Sequence, residues 1–101
     1  MLPITEMTAG HNGEHSKELT IVNKLGLHAR AAAQLVQLSQ TFQAEILLEK
    51  AGQPVDAKSV LALLMLECPL GTRVKVRASG VDADEAVTAV ARLIENKFGE
   101  E

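Results

Sequence analysis

Between Thr72 and Ala78 the side chains alternate without a break, with Val74, Val76 and Ala78 on one side and Arg73, Lys75 and Arg77 on the other. Successive side chains of a strand point to opposite faces, so any sheet that holds this segment has an apolar face and a cationic one. Such a sheet is covered on one side only, and its other side meets water. The stretch Ala44 to Lys50 repeats the pattern with opposite charge: Ala44, Ile46 and Leu48 on one face, Glu45, Leu47 and Glu49 on the other. If these two strands are neighbours, Glu45 and Glu49 face the cations across the wet side, each pair contributing a few tenths of a kcal/mol.

The remaining segments must supply the cover. Glu18 to Asn23, with Leu-Thr-Ile-Val inside it, reads as a strand, followed by a loop over Asn23-Lys24-Leu25-Gly26. A helix is expected from His28 or Ala29 to Phe42, because Ala32, Leu35, Val36, Ser39 and Phe42 recur on one stripe, flanked by Leu38, while Arg30, Gln34, Gln37 and Thr41 lie opposite. Ala51-Gly52 is a turn, and Pro54 confines the short strand Gln53 to Ala57 to a sheet edge. Ser59 is a good N-cap for a short helix, Val60 to about Glu67, closed by Pro69 and Gly71. A final helix opens at the capping-box-like Asp82-Ala83-Asp84-Glu85, runs to about Phe98 with Ala86, Val87, Val90, Leu93 and Ile94 inward, and stops at Gly99. The order strand, helix, strand, strand, helix, strand, helix (βαββαβα) predicts an α+β open-faced β-sandwich, with every helix on one face of the sheet.

Composition narrows the chemistry. A chain of 101 residues, 47% hydrophobic, fits one domain with one core. Two Phe, no Trp or Tyr and a net charge of −3 provide neither stacking platforms nor a basic surface, so nucleic acid is discounted as a partner. The single Cys68 makes no internal disulfide, and no Cys/His spacing suits zinc, so no metal or cofactor is expected and the cytoplasm is the expected compartment. The longest apolar run, Val60 to Leu66, is too short for membrane insertion. His11 and His15 lie in a polar stretch with Gly10, Asn12 and Gly13; residues 1–16 are expected to be a flexible extension without chemistry, ahead of a domain over residues 17–101.

The chemistry-bearing segment is Gly26-Leu27-His28-Ala29-Arg30. It places a histidine where a loop becomes a helix, beside unpaired N–H groups and the positive end of the macrodipole, which suits an anion. A neutral imidazole is nucleophilic near pH 7, and the Arg30 guanidinium is suited to phosphate oxygens. On spacing alone, a histidine there is more often a solvated residue or a makeshift cap.

With Ala32-Ala33 after this motif, Ala57-Lys58-Ser59-Val60 ahead of a short apolar helix, and Gly80-Val81-Asp82 with Glu85-Ala86 at the last helix, the chain resembles the HPr family. These are the histidine-containing phosphocarrier proteins of the bacterial phosphoenolpyruvate-dependent phosphotransferase system, and the likeness runs from Lys17 to Glu101. The resemblance implies a four-stranded antiparallel sheet with three helices on one face. It implies a carrier, not an autonomous catalyst, that takes a phosphoryl group from enzyme I on Nδ1 of His28 and passes it to enzyme IIA-type acceptors. Arg30 and the backbone of Ala29 would bind the phosphoryl oxygens. Ser59 matches the family's regulatory serine, the target of HPr kinase/phosphorylase in bacteria that have one. Leu27, Val60, Leu61, Leu64 and Met65 form the candidate docking set on an expected monomer. The helix over residues 60–66 is apolar nearly all round, so its pattern leaves open whether Leu61 and Met65 or Leu63 and Leu66 face outward. It suits the nitrogen-type branch of the family as well as the ordinary one. Ala31 stands where the commonest family motif has proline; alanine is a good helix former, so the turn should survive. Two other classes stand beside this reading: a regulatory partner-binding protein controlled through Ser59, which would be expected to lack the histidine, and a small-molecule-sensing domain, which would not account for the two motifs.

Overall fold

The computed structural model describes residues 13–100. Four strands, β1 (Glu14–Thr20), β2 (Glu45–Lys50), β3 (Gln53–Asp56) and β4 (Arg73–Ser79), form one antiparallel sheet in the order β1-β4-β2-β3. Among the described residues, three helices, α1 (Ala29–Ser39), α2 (Val60–Leu66) and α3 (Ala83–Glu95), cover one face, and a left-handed turn at Lys97–Gly99 follows.

The alternation in β4 explains its central place. Val74, Val76 and Ala78 are all buried, joined in the core by Leu19 of β1 and Ile46 and Leu48 of β2. The helices close over them with Ala32, Leu35, Val36 and Ser39 of α1, Leu63 and Leu66 of α2, and Ala86, Val87, Val90 and Ile94 of α3. Each large aliphatic side chain fully withdrawn from water contributes roughly 1.5–3 kcal/mol. Burial also pushes the Cys68 thiol up from its ordinary value. On the wet face Arg77 bridges Glu14 and Glu49, each at 3.1 Å, and Arg73 meets Glu18 at 3.1 Å. Arg77 is thus flanked by carboxylates from both neighbours, β1 as well as the expected β2, where Glu49 and not Glu45 is the partner.

Several boundaries differ from the sequence reading. β1 starts at Glu14 and ends at Thr20, not at Glu18 and Asn23, so Glu14–Ser16 pair with β4 and belong to the sheet. As an edge strand it buries only Leu19, and so carries no alternation to mark its limits. His15 lies within β1 opposite Ala78, while His11 lies outside the described residues. α1 ends at Ser39, short of Phe42, and β3 ends at Asp56, short of Ala57. α3 ends at Glu95: Phe98 is buried, with φ 54°, in the turn beyond it. In α2, Leu63 and Leu66 are the buried pair, while Leu61 (68% exposed) and Met65 (72%) face out.

The end of the sheet away from β4's start is tied by one side chain. The Asp82 carboxylate accepts from the backbone N–H groups of Gln43 (2.9 Å) and Ala44 (2.8 Å), joining the start of α3 to the approach to β2. Those bonds hold its pKa below the ordinary carboxylate value, against a smaller opposing effect of burial.

Candidate functional site

Two loops and one turn meet at the other end: residues 21–27 before α1, residues 67–72 before β4, and the turn after α3. The first two are in backbone contact because residue 26 is glycine. Gly26 has φ 70°, and a Cβ there would lie 2.7 Å from the Cys68 carbonyl oxygen and 2.9 Å from Pro69 Cα. Without that Cβ, the Leu27 N–H donates to the same Cys68 oxygen at 2.9 Å. Ile21 adds two more ties, donating to Thr72 O at 2.9 Å and accepting from Gly71 N–H at 2.8 Å.

The loop is braced from within by Asn23, which is fully buried. Its Nδ2 donates to Gly26 O at 2.7 Å, and its own carbonyl accepts from Gly26 N–H at 3.1 Å. The chain therefore reaches α1 in a fixed direction, and His28 becomes the N-cap, with extended backbone (φ −83°, ψ −178°). Its Nδ1 accepts from the Arg30 N–H at 3.2 Å, an imidazole doing the work of a capping oxygen. A backbone N–H only donates, so Nδ1 holds a lone pair and the neutral ring carries its proton on Nε2. Nε2 meets the Glu100 carboxylate, whose two oxygens also accept from Asn23 Nδ2 at 3.1 and 3.2 Å. The bond from His28 is the largest cause holding the Glu100 carboxyl below its ordinary range; burial opposes it, and Asn23 and the backbone of Leu25 reinforce it.

The His28 side chain retains 27% of its accessibility and Arg30 is exposed, so a lone pair, the first N–H groups of a helix and a guanidinium share one accessible corner. Ala29 is exposed beside them, and Ala31 is fully buried against the core. Such a corner can attack an electrophilic phosphorus and bind its oxygens. Among the described residues, no group of three or more His, Cys, Asp or Glu is placed to hold a metal ion, and no helix is long and apolar enough to cross a membrane.

Ser59 is half-buried at the N-cap of α2, where its Oγ accepts from Ala62 N–H at 3.2 Å. Of the candidate docking residues, Val60, Leu61 and Met65 are exposed and Leu64 is half-buried. Leu27 is not a surface residue: its side chain is 6% exposed, drawn inward where its backbone bonds to Cys68. The sequence reading missed Leu25 (66% exposed) and Leu70 (56%), which stand on the two loops of the site, and gave no role to Asn23 or Glu100.

The family model described as "PTS HPr component phosphorylation site" matches residues 15–96. The phosphocarrier protein HPr of Cupriavidus necator is 44% identical over 84 residues, covering 83% of this chain and 94% of its own. The phosphocarrier protein NPr of Escherichia coli is 45% identical over 82 residues, covering 80% of this chain and 91% of its own. Among solved structures, HPr-C-His from Thermoanaerobacter tengcongensis superposes with a TM-score of 0.83 at 44% identity, covering 86% of this chain and 98% of that one.

Proposed function

The chain belongs to the HPr family of bacterial phosphotransferase-system phosphocarriers, and on that premise we propose that His28 is its phosphoryl acceptor. The observation that carries this reading is the N-cap geometry, in which Nδ1 holds its lone pair at the accessible start of α1 while the ring proton sits on the opposite nitrogen. In the transfer, the Arg30 N–H gives up its bond to Nδ1, the freed Nδ1 lone pair forms the bond to phosphorus, and the bond from phosphorus to the donor breaks with its electrons leaving on the donor. Arg30 and the N–H groups of Ala29 and Arg30 stabilise the equatorial oxygens. The shallow corner suits a group that must be passed on, so the protein carries phosphoryl without catalysing a reaction of its own.

The donor is phosphorylated enzyme I and the acceptors are enzyme IIA-type proteins. They dock on Val60, Leu61, Leu64 and Met65. The exposed Val60, Leu61 and Met65 of α2 support this, and a groove of about 250 Å³ between β3 and α2, lined by Gln53, Val55, Ala62, Met65 and Leu66, extends it. Ser59, on the same helix, is the regulatory site for HPr kinase/phosphorylase. A phosphate there adds about −1.5 to −2 charges beside the apolar docking face, altering partner choice while leaving the fold intact.

Incubation with phosphoenolpyruvate and the cognate enzyme I tests the reading, with wild type compared with His28→Ala and the product tested for acid lability. An acid-labile phosphoryl group present in wild type and lost in the variant is expected. An unlabelled, folded wild type refutes it and moves the weight to a regulatory role centred on Ser59.

A further inference from the structure

The carboxylate behind the His28 ring is brought there by a backbone that turns the wrong way for a helix. Immediately after α3, Lys97 (φ 59°), Phe98 (φ 54°) and Gly99 (φ 79°) are all left-handed, and only one of the three is a glycine. Residues other than glycine hold that conformation only where their surroundings impose it. Here Phe98 is the anchor, a residue only 3% exposed in the core, and the N–H groups of Gly99 and Glu100 close the turn on Asn96 O (3.0 Å) and Lys97 O (2.9 Å). The chain is thereby aimed at the loop before α1. The buried Asn23 then receives the carboxylate through Nδ2, which is itself fixed on Gly26 O. A left-handed turn, a core anchor and a buried amide thus all serve to place one carboxylate at His28 Nε2. All of residues 97–100 lie beyond the span that the family model matches.

We infer that Glu100 is a positioning residue for phosphoryl transfer, holding the proton on His28 Nε2 and serving as counter-ion to the phosphorylated ring; this rests on His28 being the acceptor. When Nδ1 bonds to phosphorus, the ring becomes a phosphoimidazolium that keeps its Nε2 proton, and the Glu100 carboxylate balances the new positive charge. When the phosphoryl group leaves, the N–P electrons return to Nδ1 and a neutral imidazole departs with its proton still on Nε2. No proton moves in either direction. A ring without this partner keeps that tautomer only through the 3.2 Å bond from the Arg30 N–H, and any fraction that shifts its proton to Nδ1 presents no lone pair there.

The test uses the full chain with Glu100→Gln and Glu100→Asp. ¹⁵N NMR of the His28 ring reads the tautomer without any partner, and single-turnover transfer from enzyme I reads the chemistry. In wild type, Nδ1 is expected at the unprotonated shift and Nε2 at the protonated one. In Glu100→Gln the two shifts are expected to converge, and transfer to slow by about tenfold or more, the direction seen when a carboxylate that orients a histidine becomes an amide. Glu100→Asp is expected to restore both in part, which a merely structural contact would not require. A wild type that is labelled, with a Glu100→Gln variant unchanged in both ring shifts and rate, overturns the inference alone. A wild type that takes no label overturns the acceptor reading and the inference with it.

Discussion

Gly26→Ala places a methyl group into the closest backbone contact of the site, and its cost follows from the geometry. Holding alanine at φ 70° costs about 1–2 kcal/mol. The stiffer unfolded chain returns about 0.4–1 kcal/mol of that. The new Cβ would meet the Cys68 oxygen at 2.7 Å and Pro69 Cα at 2.9 Å, both backbone atoms that no rotamer change can move aside. The two loops must therefore separate, and the bond from Leu27 N–H to that oxygen lengthens or breaks, a loss of about 1 kcal/mol. With the lost packing between the loops, the expected destabilisation is about 2–3 kcal/mol. Gly52→Ala is the control. Gly52 has φ 82° but nothing within 4 Å of an added Cβ, so it retains the net backbone cost alone, about 1 kcal/mol. Urea unfolding of the two variants measures the difference, and phosphorylation of His28 should slow in Gly26→Ala only. Equal destabilisation would refute the close approach as the reason for glycine at position 26.

Leu63→Ala, at a fully buried position of α2, is expected to cost about 2–5 kcal/mol in urea unfolding. Met65→Ala, on the exposed side of the same helix, is expected to change stability by less than about 0.5 kcal/mol while weakening binding to enzyme I, measured by titration calorimetry. Because the folded-state pKa of Asp82 is depressed, its contribution is full above the ordinary carboxylate pKa and disappears as pH falls through the folded value. Asp82→Asn should therefore be less stable than wild type at pH 7, with the gap in unfolding midpoints narrowing in acid, below about pH 4; a gap independent of pH would show that the two bonds to residues 43 and 44 do not depend on its charge.

What the sequence disclosed depended on whether the information was local. The alternation in β4 located the inner face of the sheet, and with it the side on which all three helices pack, because a half-buried central strand writes its environment into every second residue. β1 wrote almost nothing: an edge strand with one buried residue looks like a polar segment, which is why its first four residues fall outside the expected strand. α2 was located correctly but the sequence leaves its outward face open, since an apolar helix has no polar stripe to orient it, and only contact with the core separates Leu63 from Met65. At the site, the position of His28 at the start of α1 was legible from its neighbours. The burial of Leu27, a candidate docking residue, was not legible because it depends on the loop around Cys68, more than forty residues away in sequence. Glu100 was illegible for a stronger reason: it meets His28 across 72 residues of sequence and only through a left-handed turn at Lys97 and Phe98 that side-chain preferences would not suggest.

The strand order β1-β4-β2-β3 also imposes a sequence in time. On a ribosome adding about 5–20 residues per second, β2 and β3 can pair as soon as their short hairpin is made, but β1 is made first and has no partner until β4 emerges between it and them. His28 waits longer still. Its ring nitrogen is translated 72 residues ahead of the carboxylate that meets it, a delay of roughly 4–14 s at those rates, so the nascent histidine has neither a closed loop around it nor a partner for its proton. A nascent or truncated chain that already carries the Gly26–Arg30 motif therefore lacks the contacts that close the corner, which becomes whole only when the first and last parts of the fold have met.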